Sequence, residues 1–432
     1  MKSWTRNAAL GAGVVALAAA LLAVGAAAGS PRDVEQSPAA AAPAGQVGQV
    51  AQLQARLKAV PQDDRAWAAL GVAYVQQART TADPTYYPKA QGAFAQSLEL
   101  MPKDNAAALT GLAVLAAARH DFPGALATVN KALAINDYDA TAYGVKTDAL
   151  TELGRYDEAV KASQRMLDLR PGTDSFSRAS YQRELRGDVA GARAAMQRAA
   201  DDAFAPADKA FALYYLGELA WNNGDRKTAR TSYDAALAAD QAYLPAVTGQ
   251  AKALAAAGDP TAALALYREA VQTQPQPAYL VELGELLEAT GQTSAAREQY
   301  DVVRATQQLF AASGANVDLE LALFEADHGS AAKALDYATA AYRTRPDSVL
   351  VQDAYAWALH KAGRSREALP IARRAQRLGT RLPYLRYHLG VIEAATGDTA
   401  GARRDLTAAL ALNPSFNPLQ APAARAQLKT LG

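Results

Sequence analysis

The 432-residue chain has no cysteine, which excludes disulfides, thiolate metal sites and a cysteine nucleophile. Stability must come from packing. Neither charge is in excess: 44 Lys plus Arg face 43 Asp plus Glu, a formal charge of +1. No basic surplus exists to drive nucleic-acid binding. The four histidines, His120, His328, His360 and His388, form no HExxH-like spacing, and no GxSxG, Walker loop or GxGxxG before a helix is present. These absences argue against an enzyme, and no cofactor is expected. Aromatics are sparse at 7%, whereas half the residues are hydrophobic. That is the profile of a folded chain of closely packed, alanine-rich helices.

Long hydrophobic runs are also few. Lys2 and Arg6 precede an uncharged apolar stretch over residues 8–28. This is the order of a basic n-region and an apolar h-region, and Ala26 and Ala28 offer a small-x-small cleavage site. The run is just long enough to span a bilayer. Residues 1–29 are therefore expected to be a signal peptide or a retained membrane anchor. The protein would be extracytoplasmic, either secreted or anchored by residues 8–28. With no cysteine after the run, a lipoprotein anchor is excluded. Residues 30–48, rich in Pro, Ala and Gly, read as a disordered linker.

What the rest of the chain has is a repeat. Glycines recur at Gly154, Gly187, Gly224, Gly258, Gly291, Gly329, Gly363 and Gly397, at intervals of 33 to 38 residues. An alanine follows each by five residues, from Ala159 and Ala192 through Ala229 to Ala402, and Ala90 and Ala125 mark two further units. Twelve residues past the alanine stand Pro102, Pro171, Pro275, Pro346 and Pro414. Leu216-Gly217, Leu283-Gly284 and Leu389-Gly390 lie seven residues before their turn glycine. Around each turn, apolar residues three, four and seven apart mark two amphipathic helices, and Asp225 is placed to cap a second helix.

These residues resemble the tetratricopeptide repeat family, whose pattern is Trp, Leu-Gly, Tyr, Gly, Ala, an aromatic, Ala and Pro. Trp67, Leu70-Gly71 and Tyr74 show its start; Gly154, Tyr156, Ala159 and Pro171 show its end. The resemblance implies an all-α right-handed superhelical solenoid over residues 49–415, with a C-terminal cap over 416–432. Ten units are expected, starting near Asp64, Ala106, Ala140, Thr173, Ala210, Leu244, Pro277, Ala315, Val349 and Pro383, stacked into an extended curved rod. The first unit is expected to carry an extra loop over residues 77–88.

In proteins of this family the first helices line a concave groove that holds a peptide or partner helix. Carried over by position, the groove would contain Asp148, Glu152, Tyr181, Glu184, Tyr214, Glu218, Trp221, Lys252, Glu285, Glu288, Asp353, Trp357, His360, Tyr384 and Tyr387. Aromatics among carboxylates suit a protein or peptide partner with a basic or aromatic segment. The basic clamp for a chaperone's terminal carboxylate is missing, because Gly144 and Asp148, Tyr214 and Glu218, and Thr248 and Lys252 stand at its positions. Asp318, Glu325, Asp327 and His328 are weak candidates for a cation site. In the alternative, Val317, Leu321 and Phe324 form an ordinary apolar stripe.

The expected function is a non-enzymatic scaffold that holds a partner in its groove in the cell envelope. Two alternatives are a ligand- or cation-responsive sensor and an intracellular adaptor. The start of the solenoid, LQARLKAVPQDDRAWAALGVAYV, also resembles repeat domains of cytochrome c maturation factors, which implies a holding role there.

Overall fold

A computed structural model describes residues 46–431; the expected signal or anchor segment lies outside the described residues. Those residues form 22 helices and no strand. After a capping helix α1 (Gln46–Ala59) come ten antiparallel pairs. They are α2 (Asp64–Thr81) with α3 (Tyr86–Leu100), α4 (Ala106–Ala118) with α5 (Phe122–Ile135), α6 (Ala140–Glu152) with α7 (Tyr156–Leu169), and α8 (Thr173–Leu185) with α9 (Val189–Asp201). Next come α10 (Pro206–Asn222) with α11 (Arg226–Ala239), α12 (Leu244–Ala257) with α13 (Pro260–Thr273), and α14 (Pro277–Ala289) with α15 (Thr293–Ala312). The last three pairs are α16 (Asp318–His328) with α17 (Ala331–Thr344), α18 (Val349–Lys361) with α19 (Ser365–Ala375), and α20 (Pro383–Ala395) with α21 (Thr399–Leu412). α22 (Gln420–Thr430) closes the array. Among the described residues no helix is long and apolar enough to cross a membrane.

The local causes are those in the sequence. Asp225 accepts the backbone N–H of Thr228 at 3.0 Å and caps α11, and Asp188, Asp259 and Asp398 cap their helices in the same way. The repeat alanines Ala90, Ala125, Ala159, Ala192, Ala229 and Ala263 have no exposed surface, which lets paired helices approach closely. Large rings then fill the space between units. Tyr233 wedges between Gly217 and Gly249, where an added Cβ would meet its ring at 2.4 and 2.7 Å. Phe94 occupies the same kind of slot between Gly71 and Gly111.

Four expectations are corrected. The first unit has no long loop: α2 runs on to Thr81 and α3 starts at Tyr86. α1 begins at Gln46, where the sequence also reads as a capping helix over residues 46–60 stopped by Pro61, so only the end of the span assigned to the linker, residues 46–48, is corrected. The fifth unit starts at Pro206, four residues before Ala210, because Pro206 suits the first turn of a helix, while the eighth starts at Asp318, near Ala315 as expected.

The fourth correction concerns shape. The array is not an open rod, because its second half seats on its first. Gln274 Nε2 donates to Thr80 O (3.2 Å), and Asn316 N donates to Arg119 O (2.8 Å). Arg345 pairs with Glu152 (3.1 Å), and Val349 N donates to the Tyr156 hydroxyl (2.8 Å). Thr380 Oγ1 donates to Leu185 O (2.5 Å) and Asn413 Nδ2 to Trp221 O (2.8 Å). Each of the first five units thus meets the exit of the unit five further on. The solenoid completes a turn in between five and six units, and its two turns share a polar seam.

Candidate functional site

Winding two turns in contact brings the first helices of both halves around one cavity of about 1020 Å³. At this size it lies at the upper end of the range for small-molecule sites. Eight of the groove residues inferred from position line it: Tyr181, Glu184, Tyr214, Glu218, Trp221, Lys252, Glu285 and Tyr384. The segment after α21 also contributes to the wall. Phe416 packs against Tyr387 with ring centres 5.8 Å apart. Asn417 donates to Glu285 (2.8 Å) and Gln420 to Asp327 (3.1 Å).

The lining is aromatic and acidic. Seven carboxylates, on Glu184, Asp208, Glu218, Glu282, Glu285, Glu320 and Asp327, face three Lys or Arg side chains, Arg79, Lys252 and Arg425. Lys252 is already spoken for. Its ammonium donates to both oxygens of Glu218 (2.7 and 2.9 Å) and lies over the Trp221 ring, 5.3 Å from its centre. The Tyr233 hydroxyl donates to the same carboxylate at 2.6 Å. Burial pushes Glu184 up to about 7, helped by the charge of Glu218 and opposed by a hydrogen bond from Asn222. Glu282 is likewise pushed up to about 7, chiefly by burial.

The other residues carried over by position do not reach the cavity. Asp148 is buried in a two-bond ion pair with Arg178 (3.0 and 2.8 Å) and Glu152 in its pair with Arg345. Asp353 holds His388 Nδ1 at 2.8 Å, and Trp357 stacks on that imidazole with ring centres 4.1 Å apart. Tyr387 is buried beside them. His360 contacts Ser365 (3.0 Å), while the exposed Glu288 accepts from Tyr300 (3.1 Å). Asp148 and Asp353 thus tie adjacent units together, Glu152 ties the two turns, and His360 and Glu288 bond within their own helix pairs.

The cation candidates part company as well. Glu325 is held by Arg304 (3.1 Å) and the Ser330 N–H (2.8 Å). Asp327 accepts from Trp357 Nε1 (2.9 Å), and His328 Nε2 lies 3.3 Å from Glu285. Among the described residues no three metal-ligating groups gather. Val317, Leu321 and Phe324 are buried, so the apolar stripe is the arrangement found. Glu325, however, is buried in an ion pair rather than solvated.

Sequence reasoning missed Glu282, Tyr215, Tyr243, Tyr267, Tyr279 and Phe416, which all line the cavity. One signal was available. Glu282 precedes Glu285 by three residues on the same helix and so shares its face, whereas Glu288 sits one turn too far.

Comparison with known proteins agrees with this architecture. A family model described as tetratricopeptide repeat matches residues 165–388, more than half of the chain. No curated protein matches. Similar solved structures include YrrB, a tetratricopeptide repeat protein with an unusual peptide-binding site, at 22% identity over 42% of this chain and 93% of that one (TM-score 0.30). Another is PilW, a type IV pilus biogenesis factor, at 20% identity over 46% and 92% (TM-score 0.39). A third is a tetratricopeptide repeat protein from Parabacteroides merdae, at 17% identity over 60% and 98% (TM-score 0.33). With its ten stacked helix pairs and the span of the matching family model, the chain belongs to the tetratricopeptide repeat family.

Proposed function

We propose that this protein is a non-enzymatic binding protein that takes a segment of a partner protein or peptide into its central cavity. The observation that carries this reading is the lining: seven carboxylates against three Lys or Arg, set among tyrosines. A low-dielectric, acidic and aromatic wall favours a guest with cationic and apolar side chains and disfavours an anionic one. The n-region and apolar run of residues 1–29 support a place in the cell envelope, exported or anchored. The test is crosslinking in the native envelope, comparing wild type with a Tyr214→Ala, Glu184→Gln double variant whose fold is verified by circular dichroism. A crosslinked partner lost in the variant supports the reading. Identical partners for both proteins overturn it.

The enclosure of the cavity favours one second reading, a sensor for a small ligand. A small organic cation that raises the melting temperature while no protein partner is crosslinked would select it.

A further inference from the structure

The chamber contains one assembled ammonium site, at Glu218, and a second carboxylate set among tyrosines, at Glu282. In the first, the Lys252 ammonium contacts both oxygens of Glu218 (2.7 and 2.9 Å), with the Trp221 ring on one side and the Tyr233 ring 5.9 Å away. Glu282, on α14, faces the same cavity. The Tyr267 hydroxyl hydrogen-bonds its carboxylate, yet Oε2 is buried with no partner. A buried acceptor without a donor is costly and rare in a folded protein.

We propose that Glu282 is the seat for a lysine or arginine side chain of the guest, with Tyr267 and Tyr279 as the aromatic walls beside it. The inference rests on the reading of the chamber as a peptide-binding site and names its anchor. The cation that acts on Glu282, Lys252, is engaged by Glu218. The charged groups acting on Glu282 are Lys252 from α12, Glu218 from α10 and Glu285 from α14 itself, with Tyr267 from α13 as hydrogen-bond donor. Two negative neighbours against one positive leave the site short of positive charge. Because burial pushes Glu282 up to about 7, the seat is charged above neutrality. It loses its hold on a cation as pH falls below 7.

The test uses the full chain and two capped peptides, acetyl-Tyr-Lys-Tyr-amide and its uncharged isostere with norleucine in place of lysine. Their binding is measured by calorimetry at pH 8 to wild type and to Glu282→Gln. Wild type should prefer the lysine peptide by about tenfold or more, the scale of one charge-assisted hydrogen bond. Glu282→Gln should bind both peptides with equal affinity. The lysine preference of wild type should also shrink between pH 8 and pH 6. If Glu282→Gln keeps the preference, the seat lies elsewhere and the inference fails while the peptide-binding chamber stands. If neither peptide binds wild type, both fail together. Cadaverine binding as tightly as the lysine peptide would overturn the assignment to a peptide side chain. The Gln side chain is isosteric, so a matching far-ultraviolet spectrum and melt establish that the variant is folded.

Discussion

Turn glycines of the first and second superhelical turns look alike in sequence and do different jobs. Gly154, Gly187 and Gly224 adopt φ of +76°, +71° and +77°; Gly363 and Gly397 adopt +77° and +88°. The left-handed conformation alone justifies glycine at all five positions. At Gly363 and Gly397, however, an added Cβ would meet nothing within 4 Å. At Gly154 it would lie 2.1 Å from the backbone of Asp347, at Gly187 2.5 Å from Gly379 O, and at Gly224 2.6 Å from Leu412 O. The first-turn glycines are therefore also contact points for the second turn. A conformational requirement of the repeat has become the surface on which the superhelix closes.

The largest effect is expected from the buried Arg345–Glu152 ion pair, which crosses this seam. Arg345 and Glu152 are each almost fully buried, so Arg345→Ala leaves an uncompensated carboxylate and should cost about 3–5 kcal/mol. Arg178→Ala, which breaks the buried pair with Asp148 between neighbouring units, should cost about the same. The two are separated by shape. Small-angle scattering should show a larger radius of gyration for Arg345→Ala only, since Arg178 does not touch the second turn. Equal compaction of both variants would break the comparison. Next in size is Gly154→Ala. It combines left-handed strain of about 1–2 kcal/mol with overpacking of about 1–3 kcal/mol, whereas Gly363→Ala bears the first cost alone. Urea melts of the two variants measure the difference.

The repeat itself was legible because each unit writes the same turn glycine, alanine and stop proline, and ten pairs follow from counting them. The winding was not. Curvature accumulates from small rotations between units, and Gly154 carries no mark that distinguishes it from Gly363. For the same reason Asp148, Glu152 and Asp353 read as groove residues. Their partners Arg178, Arg345 and His388 lie 30, 193 and 35 residues away, at separations no local pattern shows. Glu152 in particular meets its partner only because the solenoid completes a full turn. Tyr214, Glu218 and Trp221 were legible because an open groove and a chamber wound from it are lined by the same helical face. The C-terminal contribution of Phe416 and Asn417 was hidden, since that segment stands outside the repeat.

A change in protonation sharpens the contrast between lining and seam. Glu184 is raised from about 4.5 to about 7 by burial in the chamber, so the folded protein binds an extra proton between those values. Its charge weakens the fold as pH rises through 7, and that cost is absent near pH 4.5. Glu184→Gln should therefore raise the melting temperature at pH 8, by about 2 °C or more, and leave it unchanged at pH 5. Scanning calorimetry at the two pH values checks it, and equal shifts at both would remove burial as the cause.

The smallest energetic effect belongs to a single neutral contact across the seam. Asn413 is fully buried, and its amide donates to the Trp221 carbonyl at 2.8 Å. Asn413→Ala removes one donor from a carbonyl that still accepts from Gly224 N at 3.0 Å, at a cost of about 0.5–1.5 kcal/mol, enough to lower a urea midpoint slightly. The matched control is Arg155, next in sequence to the seam glycine Gly154. Its pair with Glu158 is exposed on one helix turn, where water and salt screen the attraction. Arg155→Ala should leave the melt of the full chain where it is. Position along the chain would then be shown to matter less than which face of the turn meets the second half of the solenoid: Arg155 adjoins the seam but does not cross it, whereas Asn413, 192 residues from Trp221, does.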